Sequence, residues 1–178
     1  MKTLTTCIAA TLIGLSASAA WAEDAGPSDP QIAAIVVTAN QVDIDAGKLA
    51  KTRSKTKDIR EFAERMIIDH SGVNKAATEL VMKLHVTPEP NPTSQSLQKG
   101  GDDNLAELRK LHGRAFDKAY IDHEVAYHEA VLQAVDKTLV PSAQNPELKA
   151  LLIKVRPAFV THLDHAKKLQ AELDKSGS

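Results

Sequence analysis

Four stretches of this chain, each about 25 residues long, place their apolar residues three or four positions apart, the spacing that gathers them on one face of an α-helix. The first runs from Asp29, read as an N-cap with Pro30 behind it, to about Thr52, with Ile32, Ile35, Val36, Ala39, Ala46 and Ala50 in its stripe. The second starts near Thr56 and carries Ile59, Phe62, Met66, Ile67, Val73, Ala77 and Leu80. The third covers about Ala115 to Leu139, with Pro141 just past its end. The fourth opens on Asn145-Pro146-Glu147, a cap, a first-turn proline and a carboxylate at the positive end of the helix dipole, and runs through Leu152, Phe159, Ala166 and Leu169. Pro157 lies inside this last stripe and predicts a kink there. No apolar-polar alternation is long enough to predict a strand, so the chain reads as all-α.

The connections narrow the architecture. About four residues join the first two stretches, which makes them antiparallel neighbours. Residues 85–113 join the second to the third and contain Pro88, Pro90, Pro92 and Gly100-Gly101, with a short helical piece around Leu105, Leu108 and Leu111. The irregular part of this segment can extend about 55 Å, more than the length of about 42 Å expected for the helices. The connection can thus cross from one end of a bundle to the other. This favours a ferritin-like four-helix bundle with one long crossover, a single domain over residues 29–175.

Residues 1–22 predict an address. Lys2 is followed by an uncharged stretch from Leu4 to Ala22 that closes on Ala20-Trp21-Ala22, ahead of Glu23 and Asp24, as in a cleavable secretory signal. Residues 23–28 then form a linker, and the expected location is the periplasm. The only cysteine, Cys7, leaves with the signal, so no disulfide supports the fold and the core alone must hold it. No later stretch approaches the ~20 apolar residues of a membrane-spanning helix. With 43% apolar residues, 25% charged and a net charge of -1, the chain is neither a disordered segment nor a strongly basic nucleic-acid binder. Lys48, Lys51, Arg53, Lys55, Lys57 and Arg60 cluster about the first turn, but Asp58 and Glu61 dilute them, and the cluster reads as a solvated tip.

Each predicted helix carries one ionisable residue inside its apolar stripe: Asp43 between Ala39 and Ala46, His70 between Ile67 and Val73, His128 between Val125 and Leu132, and His162 between Phe159 and Ala166. They stand about 13 to 17 residues from their helix starts, compatible with one layer across the bundle. One carboxylate and three imidazoles suit one divalent transition ion, with Zn, Cu and Fe all compatible with the donor set. The competing reading is a buried polar network without metal, in which Asp43 accepts from the histidines. Glu124, one turn before His128, and His165, one turn after His162, are additional candidates, with an exposed ion-pairing role favoured for Glu124. Asp69 is read as facing a flank. Tyr120, His123 and Tyr127 are read as core edge, and His85 and His112 as surface. Ile67 and Phe159 stand three residues before His70 and His162, where a carboxylate-bridged di-iron site would place Glu. No phosphate loop or nucleophile elbow is present.

The strings Asp43-Ile44-Asp45-Ala46-Gly47-Lys48-Leu49-Ala50 and Ile59 to His70, with its Met-x-x-Asp-His ending, resemble a bacterial envelope family. So do Ala115-Phe116-Asp117-Lys118-Ala119-Tyr120 followed by His128, and Pro157 followed by His162-Leu163. The family is domain of unknown function 4142, and the resemblance spans about Gln31 to Leu173. Its members commonly have Glu where this chain has Asp43. The resemblance implies export and a ferritin-like helical bundle, and no established reaction; the outer-membrane label often given to members does not fit a chain without barrel strands. Three functions stand open: a periplasmic binding or envelope-stress module holding one metal ion, a metal-free structural or interaction protein of the envelope, and a metal-dependent redox or hydrolytic enzyme. No sequence feature identifies a partner or an oligomeric state.

Overall fold

The computed structural model of the chain describes residues 26–176. The expected signal peptide, its cleavage site and Cys7 lie outside the described residues. Among the described residues there are five long helices and no strand: α1 (Asp29–Arg53), α2 (Lys57–Lys83), α3 (Pro92–Lys110), α4 (Gly113–Ala134) and α6 (Pro146–Lys175). A π-helical segment (Val135–Leu139) and one further turn, α5 (Val140–Ser142), prolong α4. No helix among these residues is long and apolar enough to cross a membrane.

Capping residues place the helix starts. Asn145 accepts from the amides of Glu147 and Leu148 at 2.9 and 3.2 Å, as its position ahead of Pro146 predicts. At α1 the cap is Ser28 rather than Asp29. The Asp29 carboxylate instead accepts from the amides of Gln144 and Asn145, at 2.9 and 2.8 Å, and ties the entry of α6 to the start of α1.

The crossover departs most from expectation. In place of a mostly irregular segment it contains the 19-residue α3. The prolines and glycines that read as breakers are accommodated: Pro92 occupies the first helical position, where an amide would go unused anyway, and Asn91 caps the Thr93 and Ser94 amides at 3.1 Å each. Gly101 is where α3 presses on α1, since a Cβ there would lie 2.7 Å from Val42 Cγ2. Pro157 does not split α6, which stays helical on both sides of it. The third predicted helix runs past Leu139, so that Pro141 falls in its final turn rather than beyond it.

Cross-helix contacts give the directions. Asp43 meets His70 and Val37 meets Asn74, so α1 and α2 are antiparallel. Asp69 with His162, and Lys83 with Glu147, make α2 and α6 antiparallel. Lys118 with Asp174, and Asp136 with Arg156, do the same for α4 and its extension against α6. α2 and α4 therefore point the same way, and α3 returns the chain along α1, from the Glu89 amide on Pro30 O (3.0 Å) to the Arg53 guanidinium on Arg109 O. α1 and α4 pack sparsely against each other, and α3 packs on α1 while touching α4 just as sparsely.

Two apolar clusters fill the interior. One gathers Phe62, Met66, Phe116, Tyr120, Ile121 and Leu169; the other gathers Ile32, Val73, Leu139, Leu148, Leu152 and Phe159. Along α1, α2 and α6 the chain passes from one cluster to the other across a single short polar interval, at Asp43, His70 and His162, and α4 does so about His128. These intervals fall at one level because the apolar stripes that flank them must register for both clusters to close.

Candidate metal centre

Asp43, His70, His128 and His162 all lie in that middle layer and are buried, the most exposed of them by only 3%. The imidazole rings of His70, His128 and His162 face one another with centroids 5.2 to 5.6 Å apart. Each ring offers a nitrogen, and the three nitrogens lie within 4.8 Å of one another. Asp43, Glu124 and His128 form a second such group, sharing His128 with the first.

Each imidazole has one nitrogen committed and one free. His70 Nδ1–H donates to Asn40 Oδ1 at 2.7 Å, and the direction is settled because Asn40 Nδ2 donates to Val36 O, also at 2.7 Å. His128 Nδ1–H donates to the Glu124 carbonyl at 3.0 Å. His162 Nε2–H donates to the Asp69 carboxylate at 2.9 Å. A neutral imidazole has one N–H, so the other nitrogen of each ring is a bare lone pair. Those atoms, His70 Nε2, His128 Nε2 and His162 Nδ1, are buried and have no hydrogen-bond partner. His70 Nε2 is 3.5 Å from Asp43 Oδ2, close to the ~3.4 Å that separates two ligand atoms about a tetrahedral ion with bonds of ~2.1 Å.

Burial keeps all three rings neutral. It holds His70 well below the usual histidine range, helped by repulsion from His128 and His162. It lowers His128 to about 4 and also lowers His162, against an opposing pull from Asp69. The carboxyls move the other way. Burial, reinforced by Glu124, holds Asp43 well above the usual carboxylate range, and burial pushes Glu124 up to about 8. Neither Glu124 oxygen nor the Tyr120 hydroxyl has a hydrogen-bond partner of normal geometry; the groups Glu124 faces are the Asp43 carboxyl and that hydroxyl.

Several expectations need correction. Glu124 is not an exposed ion-pairing residue: it is fully buried, because it falls three residues after Ile121 on the same inward stripe. His165 does not join the cluster and packs edge-on against Phe62, with centroids 5.2 Å apart. Asp69 does occupy the flank between α2 and α6, yet it fixes the His162 tautomer from there. Tyr120 is deeper than an edge residue, its side chain wholly enclosed. His85 and His112 are exposed, and Lys51 of the basic tip pairs with Glu64 and Lys57 with Glu61, as a solvated tip requires. Sequence reasoning missed Asn40, which lies four residues after Val36 and three before Asp43; that spacing placed it on the stripe.

The family model described as Domain of unknown function (DUF4142) matches residues 14–169. The chain belongs to the DUF4142 family. No curated protein and no solved structure matches it. Of the residues that carry the metal-site geometry in this DUF4142 chain, all lie within the matched span.

Proposed function

We propose that this protein is an exported periplasmic metal-binding protein that holds one divalent transition ion between α1, α2, α4 and α6. The ligands are His70 Nε2, His128 Nε2 and His162 Nδ1 together with the Asp43 carboxylate, and Glu124 stands beside them as a second carboxylate or a proton holder. The observation that carries the reading is that three buried imidazoles, each with one unpartnered nitrogen, bring ring nitrogens within 4.8 Å of one another. Such an array is mutually repulsive and poorly solvated unless a cation or shared protons occupy its centre, and the lowered proton affinity of the rings favours the cation. The outer hydrogen bonds that the rings donate to Asn40, the Glu124 carbonyl and Asp69 are the arrangement that orients metal-ligating histidines. A bound ion would supply Lewis acidity and, if copper or iron, redox chemistry.

The helix directions and the return path of α3 support a ferritin-like bundle with α3 as its crossover. Lys2, the uncharged stretch that follows and Ala20-Trp21-Ala22 support export. The reading of the polar layer as a metal-free network that only sets helix register is disfavoured by its unpaired lone pairs, which a structural network would satisfy.

Elemental analysis of the untagged protein tests the proposal. About one Zn, Cu or Fe per chain is expected, lost in His70→Ala while the helical circular dichroism is retained. Asn40→Ala, which leaves every ligand in place, should weaken zinc binding about 10- to 100-fold in a chelator competition. Absence of metal, with no uptake of added Zn, Cu or Fe, would return the middle layer to a structural role.

A further inference from the structure

The sparse packing of α1 against α4 leaves a cleft of about 910 Å³ along their seam, roofed by the first turns of α3 and reaching α6. That volume lies toward the upper end of the ~300–1,000 Å³ typical of small-molecule sites. The cleft follows α1 from Gln31 to Asp43, a run of about 18 Å at ~1.5 Å per residue. Its walls are mainly aliphatic, with Ile35, Val36, Val131, Leu152 and Val155 among them. The π-helical segment lines it through Val135, Thr138 and Leu139, and such one-turn departures from α-geometry concentrate at functional sites.

At one end the cleft reaches two of the proposed metal ligands. Asp43 and His70 belong to its lining, and His70, only 2% exposed, carries one of the unpartnered nitrogens there. Among the described lining residues there is no Lys or Arg, and Asp43 is the one carboxylate. An anionic group entering the cleft would therefore meet no protein cation. With Glu124 holding its proton, three neutral imidazoles and the Asp43 carboxylate, by contrast, leave a divalent ion with one uncompensated positive charge in a region of low polarity, where an oxyanion is its best counterpart.

We propose that the cleft binds a single-chain amphiphile with an anionic oxygen head, a long-chain carboxylate, its chain lying along α1 and its head meeting the metal ion beside Asp43 and His70. The inference rests on the metal reading for the head and on the cleft for the chain. An aliphatic chain fits because the walls offer branched aliphatic side chains and few polar groups along their length, so that affinity comes from apolar area removed from water.

Calorimetric titration with dodecanoate and with dodecanol, below micelle formation, separates the two parts. Each is titrated into zinc-loaded and metal-free protein whose zinc content has been measured. Dodecanoate should bind at least tenfold more tightly to the zinc-loaded form, whereas dodecanol should bind both forms alike. Ala134→Trp, which fills the cleft away from the ligands, should weaken both compounds tenfold or more with zinc content unchanged; Ala130→Trp at the mouth gives a second variant should the first not fold. Zinc uptake without a preference for dodecanoate overturns this inference and leaves the metal site standing. Absence of zinc uptake overturns both. Binding untouched by a folded cleft-filling variant places the compounds elsewhere and overturns the inference as well.

Discussion

Glu124 and His128 show how one turn of helix can set two groups to opposite protonation habits. Burial disfavours the charged form of each, raising Glu124 to about 8 and lowering His128 to about 4. For the carboxyls the native state binds more protons than the unfolded chain from about pH 4.5 upward, so stability falls as pH rises through that window. For His128 the native state binds fewer protons between about pH 4 and 6.5, for His70 and His162 the shift has the same direction, and their contribution rises with pH until both states are neutral. Above pH 6.5 the histidine effect fades over about one further pH unit while the carboxyl effect continues. Between pH 6.5 and 8 Glu124 should therefore lower the stability of metal-free protein by about 2 kcal/mol, part of it offset by the histidines as the unfolded chain loses their protons. Urea unfolding at the two pH values measures this, and Glu124→Gln should give a clearly shallower decline. An equal decline in the variant would mean that other groups cause it.

The helices themselves are ordinary amphipathic elements made specific at their ends and at a few close approaches. α3 illustrates the point, since its sequence is poor in apolar residues and interrupted by Gly100-Gly101. It forms because Asn91 satisfies two of its free amides and donates through Nδ2 to Gln31 O at 3.1 Å, anchoring its start to α1. Asn91→Ala should cost about 1–2 kcal/mol, the loss expected for a helix cap, and should increase proteolytic cleavage within residues 85–113. A variant as stable and as protease-resistant as the parent would show that packing of Gly101 on Val42 holds α3 without its cap.

Taken together, α1, α2, α4 and α6 place a polar layer between two apolar clusters, so the middle of the interior is where the protein has least hydrophobic stabilisation and most to gain from a ligand. An ion that binds only the native arrangement stabilises it by mass action, about 2.7 kcal/mol at a free concentration 100 times the dissociation constant. At ~2–4 °C per kcal/mol for a chain of this size, zinc should raise the melting temperature by roughly 5–10 °C. Scanning calorimetry with and without zinc checks the shift, and His162→Ala should abolish it. An undiminished shift in that variant would locate the zinc at a surface site instead.

The spacing of apolar residues was enough to read the all-α class, the long helices and the inward face of each, because helical periodicity is a local property of the chain. The same periodicity marked Asp43, His70, His128 and His162, since a polar residue within an apolar stripe is visible without any partner. It also contained Glu124 and Asn40, but ranking a carboxylate as buried or exposed requires knowing what packs against it, and that comes from α1 and α6. The extent of α3 was hidden because prolines and glycines read as breakers unless a cap and a neighbouring helix are known to accommodate them. The commitment of one nitrogen per histidine, and the cleft that opens where α1 and α4 part, arise from distances between residues far apart in the chain. Nothing local encodes those distances, and they exist only once the helices have packed.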